Sequence, residues 1–173
     1  GIMIGFNWLV SCKSLSPEKK GVSIPKEWFD INGYIKIGDT GMVTIYSPNP
    51  EIGQNVMTSM PMIVAEELDV PWENVIVEQG ALDEDSFRNP QMAGGSNSIK
   101  RGWDPLRMAG AAGKRMLLEA TAKEWGIPVK NLSARNGVIR EKSGDRKIDY
   151  GQIASKAVGI DIPKELILKK KKD

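Results

Sequence analysis

A single long helix governs the architecture open to this sequence. From Pro105 to Trp125 the apolar spacing is helical, with Leu106, Ala109, Gly113, Leu117 and Ala120 on one stripe. Gly126 supplies the left-handed stop that ends it. Ala109–Gly110–Ala111–Ala112–Gly113 make the first half slim, so another backbone or a bulky ligand can come close, and tight packing on a sheet satisfies the same pattern. The segment leading in is Gly94–Gly95–Ser96–Asn97–Ser98–Ile99. Asp104 is the expected N-cap and Pro105 the first helical residue, where a missing N–H costs nothing. Such loops leave backbone N–H groups and hydroxyls outward beside the positive end of a helix dipole, which suits an anionic ligand and equally suits a plain turn. Arg101 and Arg107 stand near that helix start, where the dipole does not favour a cation. They point to an anionic ligand or to a carboxylate from elsewhere in the chain.

Composition narrows the chemistry. There is no histidine, and Cys12 is the single cysteine. Structural zinc, Cys/His nucleophile pairs, intramolecular disulfides and a Ser–His–Asp relay are therefore excluded for this stretch. Basic and acidic residues number 24 and 22, a net +2, so no global field draws the chain to nucleic acid. Asp83, Glu84 and Asp85 are consecutive and do not share a face, so they read as a solvated loop rather than a metal cluster. Catalysis by such a chain has to borrow its chemistry from a cofactor.

The opening run Gly1–Ser11 is apolar but too short to cross a bilayer. It reads as the second half of an export signal, residues 1–12, and Leu9–Val10–Ser11–Cys12 fits a bacterial lipobox. Lipidated Cys12 would tether the protein to a membrane; the alternative is a buried thiol in an apolar N-terminal element. Residues 13–27 read as a linker and 28–173 as the ordered domain. Tyr34–Ile37 and Met42–Tyr46 alternate around Gly38–Asp39–Thr40–Gly41 as a hairpin. The turn Pro48–Asn55 then precedes a helix to Leu68, which starts near Ser59 or kinks at Pro61. A strand at Val75–Val77, a long loop from Ala81 to Met92, a hairpin turning at Asn136–Gly137 and a helix over Tyr150–Val158 complete the pattern. Lys169–Lys172 read as a solvated end. The fold class is α+β, with short hairpins and strands packed by two main helices, and two Gly-containing polar loops enter helix starts.

Ordered blocks add to this. They are Glu51–Ile52–Gly53–Gln54 with Thr58, Val64–Leu68, Pro71–Trp72 with Val75 and Val77, Gly94–Ser98, Trp103–Ala112, Trp125–Pro128, Tyr150–Gly151 and Leu166–Lys169. Together they resemble the molybdopterin-binding large subunits of the xanthine oxidase family of molybdenum hydroxylases, in the isoquinoline 1-oxidoreductase and periplasmic aldehyde oxidoreductase group. The resemblance implies an N-terminal fragment of a longer large subunit, inactive alone, whose general-base glutamate lies outside it. It implies a molybdenum–molybdopterin cofactor, by family habit the cytosine dinucleotide form. It places Gly53 and Gln54 near the metal, and Gly95, Ser96 and Ser98 on the pterin. The family turn reads Gly-Gln-Gly, whereas Asn55 stands third here. The implied reaction is water-derived hydroxylation of an aldehyde or N-heterocycle, electrons leaving through a two-iron two-sulfur small subunit, in the periplasm. The competing reading is a membrane-tethered, non-catalytic interaction domain that kept the fold but not the cofactor.

Overall fold

The computed structural model describes residues 23–83, 85, 87 and 90–170; the apolar opening and Cys12 lie outside the described residues. Strands β1 (Trp28–Asn32), β2 (Ile35–Gly38), β3 (Val43–Ser47) and β4 (Val75–Gln79) form one sheet in that order. The expected hairpin is β2–β3, with Ile35 opposite Ile45 and Ile37 opposite Val43. All four side chains are fully buried, because period-2 alternation puts them on one face of the pleat. β4 pairs with β3 in parallel, and helix α1 (Val56–Leu68) makes the crossover between them. A second sheet holds β5 (Leu132–Arg135), β6 (Val138–Glu141) and β7 (Lys147–Asp149). Its first turn has positive φ at Asn136 and Gly137, as a two-residue Asn-Gly hairpin requires.

α1 starts at Val56 and runs through Pro61 instead of beginning at Ser59. α2 differs more. It spans Ser98–Trp125, so Asp104 is not its N-cap and Pro105 lies inside it. The Asn97 carbonyl accepts the Arg101 N–H at 2.9 Å and opens the helix there. Packing holds the extra turns: a Cβ on Gly102 would stand 2.9 Å from the Met60 Cε of α1, so that turn already lies against its neighbour. Tertiary contact thus outweighs the preference of proline for a first turn.

The slim half of α2 serves close approach to α1 and to the sheet together. A Cβ on Gly110 would run into the Val64 carbonyl oxygen, and one on Gly113 would lie 3.0 Å from Ile35 Cδ1. Another backbone, that of a helix, is what the small residues admit. Leu106, Leu117, Met60, Val64 and Leu68 fill the space between the layers. α3 (Tyr150–Ala157) packs below, and Tyr150 donates its hydroxyl to the Leu68 carbonyl at 2.7 Å. Burial, with a smaller contribution from Asp69, pushes that phenol far above its ordinary pKa, so it stays a donor.

The solvated end expected from Lys169 onward is corrected at its first residue. The Lys169 backbone N–H donates to Glu67 Oε2 at 3.0 Å, and its carbonyl accepts from Arg107. Its ammonium lies 2.7 Å from Asp69 and 3.1 Å from Glu66. Burial disfavours that charge, but the hydrogen bonds to Asp69 and Glu66 outweigh it and hold the Lys169 pKa above the usual lysine value. Glu67 is 2% exposed and is satisfied by Arg107 Nε at 2.7 Å and by Lys169. Arg107 therefore answers a carboxylate of its own chain, and its guanidinium also lies over the Trp103 ring.

Candidate functional site

β3 and β4 run parallel, so the loops that leave their carboxyl ends, 48–55 and 80–97, emerge on the same side of the sheet. In open parallel sheets that side is where ligands bind. Three side-chain amides hold the two loops together. Asn49 Nδ2 donates to the Met92 carbonyl at 2.8 Å and to Ser98 Oγ at 3.1 Å. Gln91 Nε2 donates to the Ala81 and Pro48 carbonyls, at 2.7 and 3.1 Å. Gln79 Nε2 donates to the Ser47 carbonyl at 3.0 Å. Between the loops lies a cleft of about 470 Å³, walled by Pro50, Glu51, Met57, Gln79, Leu82 and Gln91 among others.

The five residues expected to hold a cofactor divide between the two loops and the start of α2. Gly53 and Gln54 stand in the first, Gly95 and Ser96 in the second, and Ser98 is the first residue of α2, held to the first loop by Asn49. The first loop is organised around Glu51. Its Oε1 accepts the N–H of Gly53 at 2.7 Å and of Asn55 at 2.9 Å, and its Oε2 accepts that of Met57 at 3.1 Å. This internal carboxylate caps α1, whose N-cap residue Asn55 gives no side-chain bond. The N–H groups of Met57, Asn55, Gly53 and Gln54 hold the Glu51 carboxyl below the usual carboxylate range. Ionised and occupied, Glu51 is not a free base.

Gln54 folds back into its own turn. Its Oε1 accepts the Ile52 N–H at 2.6 Å, and its Nε2 donates to the Pro50 carbonyl at 2.9 Å. Gly53 has φ +97° and Asn55 φ +61°. Asparagine is among the non-glycine residues that best tolerate that left-handed region, so the turn keeps its path with Asn55 in the third place. At Gly53 the requirement is conformational, since a Cβ there would touch nothing.

The second loop is different. The chain passes through Gly95 at φ +61° and Ser96 at φ +53° and enters α2 with no side-chain bond from its N-cap, Asn97. The first-turn N–H groups at Ser98, Ile99 and Lys100 have no acceptor within the helix. Gly94, Gly95 and Ser96 are exposed or nearly so, and Asn97, Ser98 and Arg101 line the narrow cleft that separates them from Asn49. The donor set at this end is backbone N–H and serine hydroxyl, which fits an acceptor-rich, anionic group. At α1 one of the equivalent donors, the Met57 N–H, is taken by Glu51, and the Thr58 N–H bonds the Asn55 carbonyl. A separate cleft of about 700 Å³ lies between α2 and the segment 162–166, and contains none of the five residues. Among the described residues no group of three or more His, Cys, Asp or Glu side chains is arranged to hold a metal ion.

Asn49, Glu51 and Gln91 are parts of this site that sequence reasoning missed. Pro48–Asn49–Pro50 and the acidic residue two places before Gly53 are the local signals that mark the first two. Gln91 carries none.

Residues 5–171 match the family model of the molybdopterin cofactor-binding domain. The chain is 31% identical, over 72% of its length, to the beta subunit of isoquinoline 1-oxidoreductase from Brevundimonas diminuta, of which the match covers 16%. It is 27% identical, over 90% of its length, to a membrane-bound aldehyde dehydrogenase (pyrroloquinoline-quinone) of Gluconacetobacter polyoxogenes, covering 20% of that protein. It is 30% identical, over 74% of its length, to a nicotinate dehydrogenase subunit of Pseudomonas putida, covering 11%. In fold it is similar to quinoline 2-oxidoreductase of Pseudomonas putida 86, at 18% identity and a TM-score of 0.52, over 69% of this chain and 15% of that one. The chain thus spans a small part of the length of the relatives it matches, and by sequence and fold it belongs to the molybdopterin cofactor-binding domain family.

Proposed function

We propose that this chain is the cofactor-binding portion of the large subunit of a molybdenum-dependent hydroxylase, and that the loop 94–98 holds the molybdopterin. The observation that carries this reading is the N-terminus of α2, to which Asn97 gives no side-chain bond, set beside a Gly/Ser loop at the carboxyl ends of two parallel strands. Gly95 lets the backbone turn toward the pterin. The Ser96 and Ser98 hydroxyls and the first-turn N–H groups donate to its ring acceptors and phosphate. Asn49 fixes Ser98 against the first loop, so both loops present their donors in register. Gln54 offers its side-chain amide from the other side, exchanging its Pro50 and Ile52 partners for the cofactor. When bound, the cofactor supplies the two-electron redox chemistry and the metal, for which the described side chains form no site of their own.

The substrate in this reading is an aldehyde or N-heterocycle, hydroxylated with oxygen from water. The names of the relatives, isoquinoline 1-oxidoreductase and nicotinate dehydrogenase among them, support that range. A two-iron two-sulfur partner takes the electrons, the cofactor is the cytosine dinucleotide form, and the general base comes from outside these residues, so residues 1–173 alone are inactive. Export to the periplasm, with Cys12 as the lipid attachment point, belongs to the same proposal. It is tested by mass spectrometry of the mature N-terminus.

The deciding experiment measures molybdenum and pterin in the natural-length protein purified from its own host. Near-stoichiometric metal and pterin are expected, with both lowered by Gly95→Val. A folded, full-length protein with neither, from a host whose other molybdenum enzymes are loaded, overturns the reading in favour of a non-catalytic interaction domain.

A further inference from the structure

The first loop contains two separable sets of hydrogen bonds. One set fixes its backbone: the Glu51 carboxylate gathers the N–H groups of Gly53, Asn55 and Met57, on both sides of Gln54 and into the first turn of α1. The other set parks a side chain: the Gln54 amide accepts the Ile52 N–H and donates to the Pro50 carbonyl. The two sets share no atom. The Gln54 amide can therefore leave its parked position while Gly53 and Asn55 stay where Glu51 holds them, each at a left-handed φ.

We infer that Glu51 is the positioning residue of the Gly53–Gln54 turn, holding its backbone so that the Gln54 amide can swing from Pro50 and Ile52 to the cofactor without unfolding the loop. This rests on the cofactor reading above and deepens it. Three features of the geometry support it. The carboxylate uses both oxygens on the turn itself, Oε1 for Gly53 and Asn55 and Oε2 for Met57. The bonds bracket Gln54 in sequence, at positions one before, one after and three after it. And α1 receives from Glu51 the cap that Asn55 does not give, so the turn is anchored to a helix packed on α2 and on the sheet. A neutral amide cannot replace the carboxylate, because its NH₂ group would face one of the N–H donors.

The test uses the natural-length, cofactor-loaded enzyme with Glu51→Gln and Gln54→Ala. Three readouts are taken: hydrogen exchange of peptides covering residues 51–57, the paramagnetic resonance signal of molybdenum in the partly reduced enzyme, and kcat with KM. Glu51→Gln is expected to speed exchange at residues 53–57, shift the molybdenum signal and lower kcat by about tenfold to a hundredfold, with metal content near wild type. Gln54→Ala is expected to shift the signal but leave exchange at residues 53–57 unchanged. Wild-type exchange in Glu51→Gln, or an unshifted signal in it where Gln54→Ala is shifted, overturns the positioning role alone. An unshifted signal in Gln54→Ala overturns the placement of the turn beside the metal, and the inference with it. If Glu51→Gln is recovered unfolded, Glu51→Asp, which keeps the charge one methylene shorter, is expected to fold and restore part of kcat; no recovery of kcat in that folded variant overturns the role.

Discussion

Glu67 shows what one buried carboxylate demands of its surroundings. It sits on α1 at 2% exposure, and Arg107 and the Lys169 backbone together fill both its oxygens. Removing Arg107 leaves the buried carboxylate with the Lys169 N–H but without its countercharge. Arg107→Met is expected to destabilise the fold by about 3 kcal/mol, and Glu67→Leu combined with it to recover most of that loss, because a packed apolar pair replaces an ion pair at little cost. Urea unfolding midpoints of the two variants check both. Glu51 makes the opposite case at the surface. Its folded pKa lies below the ordinary value of 4.5, so the stability it lends the 51–57 turn is complete above that value and is lost as pH falls through the lowered pKa. Hydrogen exchange at residues 53–57 is expected to be flat from neutral pH down to about 5, after correction for intrinsic rates, and to accelerate below about 4.

At the scale of elements, the α1–α2 contact is governed by absent side chains. Gly110→Ala would place a methyl against the Val64 carbonyl, and a loss of about 3 kcal/mol is expected, readable as a lowered thermal midpoint. Gly126→Ala leaves the contact untouched and strains only the left-handed stop at φ +65°, so about 1 kcal/mol is expected there. Elements set by local pattern were legible in sequence: β2–β3 from alternation, the Asn136–Gly137 turn from its dipeptide, α1 and α3 from helical spacing. The start of α2 was not. Asp104 and Pro105 carry a strong local signal, yet Gly102 packs on Met60 and extends the helix back to Ser98, and no local pattern reports a contact between residues so far apart in the chain. The two loops of the candidate site were legible as turns, the first through Pro48, Pro50 and Gly53 and the second through its glycines and serines. Their junction was not, because Asn49 reaches Ser98 across 49 residues of sequence. Glu51 opened one of the family-like blocks without a role of its own; that role needs the positions of three N–H groups that sequence does not display.

Taken whole, the molecule is closed by its last described segment. Lys169 bonds through its N–H, its carbonyl and its ammonium to residues on α1, α2 and the α1 C-cap. Since the Lys169 pKa is raised, the charge contribution is present below the ordinary lysine value of 10.5 and is lost as pH rises through the higher folded value. Peptides covering residues 162–170 are expected to lose exchange protection above about pH 11 before the sheet does. Lys169→Met is expected to abolish that alkaline step while leaving the backbone contacts in place. The closure also sets an order in time. Glu67 meets Arg107 after 40 residues, but its second partner lies 102 residues further along the chain. On the ribosome, the sheet and α1 are made long before Lys169 emerges, so the contacts it makes with α1 and α2 are among the last that these residues form.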